Sequence, residues 1–558
     1  MEDKKLGTLI LAIMMMLSGW TQAPARAENT VDTVDVSALF KSKDVEESWE
    51  TDSTRVIDLN AFESGSVVSI TEKGDYVLSG SLEGQILIAA PEDEKVRLIL
   101  NGVTITCPQG PAIYEKQADK LIITLAEDSE NALADGEVIL DGDDTIGAAI
   151  YAEDDLSING AGSLSATGTQ AHGIQSKADL IIANGNITVQ AEKDGIRGRN
   201  SVLVLDGEIN ITAGGDGIVS TRADAEDKGW VVLAGGTVSV KTGDGAGSVR
   251  VSANSKNGGG RGRMNDWSSG SASADDGISK KAVKAATTLT VVGGSYTFDC
   301  ADDGLHGVNV NVHGGDFTIR SGDDGMHADE DMTVNGGRID ISQCYEGLEG
   351  KNVTVNGGSI RIIASDDGIN ASGGSDGSGL GNWGRRGGTV QAENGGVLTI
   401  TDGEIAVTAG GDGLDSNGSI LISGGVIGVW AATTPGEGAI DFNGTGTISG
   451  GTLLVASTGG VMQDTAGLSG QSVMAFSGTG LAGETVTLST SDGLVLGSYT
   501  PEEAFDTLLV SSSQLQEGDK CTVICGDWTL FSGEMSSSLA SVGSENMGFG
   551  RNKNRRGW

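Results

Sequence analysis

Residues Leu180–Asn200 read "LIIANGNITVQAEKDGIRGRN". Within these 21 residues three short aliphatic runs are separated by Asn-Gly and Asp-Gly. Alternation over four to six residues is the signature of a strand, and glycine dipeptides supply the backbone freedom that corners need. A helix would need ten or more residues of 3.6 periodicity without glycine, and the middle of the chain has no such window. Each strand is too short to stand alone and must bury its apolar side against a neighbour.

The same unit recurs. Aligned on a glycine followed by an aliphatic residue, the chain shows "AHGIQ", "KDGIR", "GDGIV", "DDGIS", "DDGLH", "DDGMH", "YEGLE", "DDGIN" and "GDGLD", with glycines at 173, 195, 217, 277, 304, 325, 347, 368 and 413. Their intervals are 22, 22, 60, 27, 21, 22, 21 and 45 residues, so a period of 21 to 22 is interrupted by longer insertions. If each period is one coil, successive coils stack in parallel and their inward aliphatic residues form one continuous core. The predicted fold is all-β: a right-handed parallel β-helix with three strands per coil. Propeller blades have a longer period, and the L-x-x-L-x-L pattern of leucine-rich repeats is absent.

Working outward, residues 61–464 form the predicted helix, and Gly74–Leu125 supply its first coils and their cap. Residues 465–535 lose the glycine period and read as antiparallel strands of a C-terminal β cap. Residues 28–60 are a polar, acidic, loose lead-in. The segments 253–274 and 373–388 are Gly-rich surface loops, and 536–558 is a basic tail whose composition predicts disorder. Residues 1–27 carry Lys4 and Lys5, an apolar run from Leu6 to Leu17 and Ala25-Arg26-Ala27, the layout of a secretory signal peptide. That run is too short for a membrane span. An exported, secreted chain is expected.

Glycine is 89 of 558 residues while proline is only 6, which excludes collagen and Pro-rich linkers. The net charge of −41 argues against nucleic acid, whose phosphates are bound through Lys and Arg. Cations, or ligands bridged by cations, are the expected partners. Of the five cysteines, Cys300 and Cys344 fall about two rungs or ~9.6 Å apart, and Cys521 and Cys525 are spaced along one strand, so no disulfide is expected.

In the stacked register one column of acids stands directly before the corner glycine: Asp194, Asp216, Asp276, Asp303, Asp324, Glu346, Asp367 and Asp412. Asp275, Asp302, Asp323 and Asp366 form a second column beside it. Like charges one rung apart repel by roughly 3 to 4 kcal/mol at an effective dielectric near 20. Ca²⁺ removes that cost, because it takes six to eight oxygens at about 2.3 to 2.6 Å and so spans one rung. Asp-Gly is also a good turn dipeptide, which explains one Asp per corner but not Asp-Asp. The predicted Ca²⁺ ligands are therefore Asp275, Asp276, Asp302, Asp303, Asp323, Asp324, Glu346, Asp366 and Asp367, with Asp329 and Glu349 completing shells. His306 and His327, two places after the glycine, share a column with Glu349, Asn370 and Asp415. As a neighbouring pair the histidines are of the right type for a transition metal. The role assigned here to His306, His327, Asn370 and Asp415 is ligand contact.

With the period, "GDDGMHADEDMTVNGG" (322–337) and "DKLIITLAEDSENALADG" (119–136) in view, the chain resembles secreted bacterial carbohydrate-binding proteins with a right-handed β-helix and bound calcium, relatives of the ninth family of polysaccharide lyases. The resemblance covers about residues 55–535. Its most specific parts are the repeated D-D-G-[ILM] corners and "LILNGVTITC" (98–107). It implies binding of acidic polysaccharide such as polygalacturonate, with calcium on Asp302, Asp303, Asp323, Asp324, Asp366 and Asp367. The lyases of that kin use calcium to neutralise a uronate and a Lys to remove the adjacent proton. Lys281 and Lys351 lie four residues after corner glycines, which makes Lys351 the candidate base of an alternative, catalytic reading. The lyase pattern has an acid two residues after the glycine, where His306, His327 and Asn370 stand here. The binding reading is therefore non-catalytic, and a monomer is expected. A cell-surface adhesion or structural solenoid is the third reading.

Overall fold

Three short strands make each coil, and every strand pairs in parallel with its counterpart one period on. The computed structural model describes residues 36–49, 54–141, 144–225, 227–247, 278–372, 395–432, 438–458 and 468–536. The predicted signal peptide, both Gly-rich loops, Asp275, Asp276 and the tail from 537 lie outside the described residues. In the coil of residues 179–198 the strands are Asp179–Ile182, Asn186–Ala191 and Ile196–Gly198. The inward column through its middle strand runs Ile187, Ile209, Val238, Tyr296, Phe317, Ile339, Ile360, Ile405 and Ile427, all buried. Each such side chain contributes about 1.5 to 3 kcal/mol of burial. Tyr296 and Phe317 stack with centroids 4.9 Å apart. The fold is a parallel β-helix.

Glycine serves the corners in two different ways. At the Gly-Gly corners, Gly315 and Gly337 have φ of 108° and 99°, a left-handed conformation that side chains resist. The acid corner was expected to need glycine for its turn, and it does not. Gly325 has no positive φ, but a Cβ there would lie 2.6 Å from the Gly347 carbonyl oxygen and 2.6 Å from Ile341 Cδ1. Close stacking of coil on coil excludes the side chain.

The N-terminal segment is not loose where it is described. The short helix Ser42–Val45 lays Asp44 against the buried Lys120, with Nζ 2.5 Å from Oδ1. Ser157 Oγ donates to the same oxygen at 2.8 Å, and Asn159 Nδ2 donates to the Asp44 carbonyl at 2.9 Å. Arg97 donates to the carbonyls of Ser48 and Glu46. Val36 and Phe40 cover the outward Ile181, Leu203 and Val232, which is why those strands are apolar on both faces. Arg55–Asp58 already pairs in parallel with the first coil.

At the other end pairing turns antiparallel after Leu468–Gly470. Strand Phe505–Ser512 lies between Gly446–Thr458 and Val473–Gly480. A separate four-stranded antiparallel sheet (Val486–Thr490, Val495–Tyr499, Lys520–Cys525, Trp528–Glu534) packs a second core around Trp430. All five cysteines are buried and unpaired. No helix among the described residues is long and apolar enough to cross a membrane.

One buried acid carries a pH prediction. Glu115 is fully buried, accepts the Asp154 N–H at 3.0 Å and leaves Oε1 without a partner. Burial pushes its carboxyl from 4.5 to about 7, against the opposing pull of the Asp154 N–H. The fold therefore favours the protonated form, so the stabilisation is fully present below about pH 4.5 and is lost as pH rises through about 7. Glu115→Gln should flatten this dependence and raise stability above neutrality, on the order of 3 kcal/mol in urea titrations run across pH. A wild-type slope that persists in the variant refutes the assignment.

Candidate functional site

The acid corner is built by backbone register. Successive corner amides bond one coil on: Gly195 N to Asp216 O, Gly217 N to Lys281 O, Ala282 N to Asp303 O, Gly304 N to Asp324 O, Gly325 N to Glu346 O, Gly347 N to Asp367 O and Gly368 N to Asp412 O. The inner column is thus Asp194, Asp216, Lys281, Asp303, Asp324, Glu346, Asp367, Asp412. Lys280-Lys281-Ala282 takes that coil's corner places, for which Asp275 and Asp276 were expected, and those two acids lie outside the described residues. The signal was present in the spacing to the next Gly-Gly: Gly314, Gly336 and Gly357 follow their corner glycines by 10 or 11 residues, and Gly293 lies 11 past Ala282 but 16 past Gly277. Lys281 correspondingly does not share a column with Lys351.

The two carboxylates of a doublet do not both face outward. Asp303 and Asp324 are 2% and 0% exposed, and each accepts the main-chain N–H of the equivalent residue one coil on. Asp324 N donates to Asp303 Oδ1 at 3.1 Å and Glu346 N to Asp324 Oδ1 at 3.2 Å. Asp216 N donates to Asp194 Oδ1 at 3.1 Å, Lys281 N to Asp216 Oδ1 at 2.8 Å and Asp412 N to Asp367 Oδ1 at 2.6 Å. This ladder accounts for one short acid per coil, since an unmet buried N–H is costly. The second oxygen turns to the residue three places on: Asp194 Oδ2 to Arg197, Asp303 Oδ2 to His306 Nδ1 at 3.0 Å, Asp324 Oδ2 to His327 Nδ1 at 2.9 Å. Glu346 Oε2 instead accepts from Asn370 Nδ2, in the next coil, at 2.8 Å.

The outer acids Asp302, Asp323 and Asp366 are half-exposed. Asp302, Asp303 and Asp323 each bring a carboxylate oxygen within 4.8 Å of the others. Lys281 Nζ sits 2.8 Å from Asp302 Oδ1 and 2.5 Å from Asp303 Oδ2, a cation between two carboxylates. Asp366 and Asp367 stand three coils on from Asp303, and a Cβ at Gly411 would lie 2.5 Å from Asp367 Oδ1 and 2.6 Å from Asp366 Oδ1, so these oxygens converge over the bare glycine.

Charge in the buried part is unbalanced. Burial pushes the Asp303 carboxyl up, but His306 and Lys281 more than offset it and hold it well below the carboxylate range. Burial, with the neighbouring acids, pushes Asp324 and Glu346 well above it. Burial would lower His327, yet Asp324, Asp329 and Glu349 hold its proton far more tightly than usual. His327 Nδ1 lies 2.9 Å from both Asp324 Oδ2 and Glu349 Oε2 and has one proton to give. Glu349, 3% exposed, accordingly keeps Oε2 without a hydrogen-bond donor. A buried excess of carboxylate is relieved by protons or by cations.

The profile of the family described as "Carbohydrate-binding domain-containing protein" matches residues 64–325 and 324–500. The chain belongs to that family. A carbohydrate-binding domain-containing protein of Acetivibrio thermocellus is 44% identical over 183 residues, covering 32% of this chain and 64% of the relative, so the chain spans a little under two thirds of that relative's length. Among solved structures, the polysaccharide lyase-like protein from C. thermocellum, as a gadolinium derivative, is 28% identical over 48% of this chain and 93% of its own, with a TM-score of 0.36.

In this carbohydrate-binding domain-containing protein the outward column beside the acids runs Lys284, His306, His327, Glu349, Asn370, Asp415 and Asp441, each opposite the next. The structure therefore brings together His306, His327, Glu349, Asn370 and Asp415, and adds Lys284 and Asp441. Asp412, Asp415 and Asp441 form a further close set of carboxylates. Asp329 is exposed on a bulge, and its Oδ1 faces both histidines. Lys351 stands apart from the inner column, with Nζ 2.6 Å from Glu330 Oε2.

Proposed function

We propose that this chain is a secreted, calcium-dependent carbohydrate-binding protein for acidic, polygalacturonate-like polysaccharide, acting as a monomer without catalysis. The observation that carries the reading is the cross-coil set of Asp302, Asp303 and Asp323 oxygens within 4.8 Å of one another. The hydrogen-bond ladder explains the inner acid of each doublet, and the outer acids set half-exposed carboxylates beside it, Asp302 accepting from Asp303 N at 3.0 Å and from Lys281 Nζ at 2.8 Å. Hard carboxylate oxygens in that number suit Ca²⁺. Asp302, Asp303, Asp323 and Asp324 would hold one ion, and Asp366 and Asp367, converging over Gly411, another. Glu346 and Glu349 lie buried behind them, and Asp329 lies outside. Bound calcium supplies positive charge and open coordination positions for sugar carboxylates and hydroxyls. His306, His327, Asn370 and Asp415 line the adjoining face. Export is supported by the leader-like residues 1–27.

The lyase alternative requires Lys351 to act as a base. Its ion pair with Glu330 raises its hold on the proton, opposite to what a base near neutrality needs. Affinity electrophoresis through polygalacturonate tests the proposal. Retardation in Ca²⁺, abolished by EDTA and weakened about tenfold or more by Asp302→Asn with Asp323→Asn, is expected, with no unsaturated product released. Retention unaffected by EDTA would remove calcium from the account, and no retention in either condition would leave a purely structural solenoid.

A further inference from the structure

We infer that His306, His327 and Asp329 form a surface site for a divalent transition metal, distinct in chemistry from the acid columns. His306 and His327 are the only two of the chain's four histidines to occupy opposite places in adjacent coils, their rings 5.0 Å apart and tilted by 32°. Each ring is anchored through Nδ1 to a buried carboxylate: His306 to Asp303 Oδ2 at 3.0 Å, His327 to Asp324 Oδ2 at 2.9 Å. A histidine whose Nδ1–H is taken by a carboxylate presents Nε2 as its ligand atom, with orientation fixed and basicity raised, the usual support of a metal-binding imidazole. The buried Glu349 Oε2, 2.9 Å from His327 Nδ1 and lacking any donor of its own, strengthens that support for one of the two rings.

Both Nε2 atoms face the same third group. Strand Met326–Val334 carries an irregularity in register between Ala328 and Asp331, and the bulge turns Asp329 back over the histidines. Asp329 Oδ1 lies 3.9 Å from His306 Nε2 and 3.6 Å from His327 Nε2. Ligands around a tetrahedral ion with bonds of about 2.0 to 2.1 Å stand about 3.3 Å apart, so closure by a few tenths of an ångström brings Asp329 Oδ1 to the spacing of a co-ligand from both Nε2 atoms. Asp329 is exposed and free to make that adjustment. Two imidazoles and one carboxylate suit Zn²⁺, Co²⁺ or Ni²⁺. Calcium takes oxygen and leaves imidazole aside.

The test uses the full chain without a histidine tag, stripped with EDTA, saturated with Ca²⁺ and titrated with Co²⁺. The expected result is about one equivalent bound with the ligand-field absorption of a nitrogen-containing site, displaced by Zn²⁺ and not by further Ca²⁺. His306→Gln and His327→Gln should each weaken Co²⁺ at least about tenfold. Asp329→Asn, on an exposed bulge outside the buried network, should weaken it similarly while leaving the far-ultraviolet circular dichroism unchanged. Equal Co²⁺ affinity in all three variants, or displacement by Ca²⁺, overturns the inference. Polygalacturonate retention is not a readout here, so this site and the calcium reading stand or fall separately.

Discussion

Replacing Lys281 by methionine should destabilise the calcium-free protein by about 3 to 5 kcal/mol, read as a fall in the urea midpoint, and saturating Ca²⁺ should restore most of it. Lys281 is the only base in the described inner column, and its ammonium sits between Asp302 and Asp303 at 2.8 and 2.5 Å. Burial disfavours the ammonium, but those two carboxylates more than compensate and hold its proton well above the ordinary lysine range. Removing it leaves the buried Asp303 carboxylate without its ammonium partner, Oδ2 keeping only the hydrogen bond to His306 Nδ1 at 3.0 Å. Methionine keeps the aliphatic stem, so the loss reports charge rather than volume. Rescue follows if the ammonium stands where a metal ion stands elsewhere in the column, because the variant then presents that place empty. A small loss in EDTA would show the pair to be screened, and a large loss without calcium rescue would show that Lys281 is a structural ion pair with no bearing on metal.

Asp44→Ala should cost about 3 to 5 kcal/mol as well, and Asp44→Ala with Lys120→Met should recover most of it. The single substitution strands the buried Lys120 ammonium and removes the acceptor for Lys41 N at 2.6 Å and Ser157 Oγ at 2.8 Å. The double substitution removes the uncompensated charge. Limited proteolysis distinguishes where the effect falls: cleavage within residues 36–49 should appear in Asp44→Ala while the coils stay protected. Cleavage spread evenly along the coils would mean that the segment is integral to the first coils rather than clamped onto them.

The coil, its period and its interior were readable because they depend on local chemistry. Aliphatic alternation and glycine spacing recur within each period, so Ile187, Ile209 and Val238 announce their shared column without any structure. The histidine, glutamate and asparagine column was readable for the same reason. Other features were not. Arg97, Lys120, Thr124, Ser157 and Asn159 each look like a surface residue, and only the docked segment from residue 36 shows that they are covered. The Lys280-Lys281 corner was hidden by the nearer "DDGIS", which copies the motif at the wrong distance from the next Gly-Gly. Inner and outer acids of a doublet are the same residue type, and only the N–H reaching Asp303 from the following coil tells them apart.

That reaching amide has a hereditary consequence. Because each corner carboxylate is completed by the coil after it, a tandem duplication of one whole period inserts a unit that arrives with its own acceptor, its own donor and its own outer acid, and no existing bond has to be redrawn. A duplication of part of a period would put strange residues opposite every acceptor downstream. Lengthening by entire turns is therefore the path open to such genes.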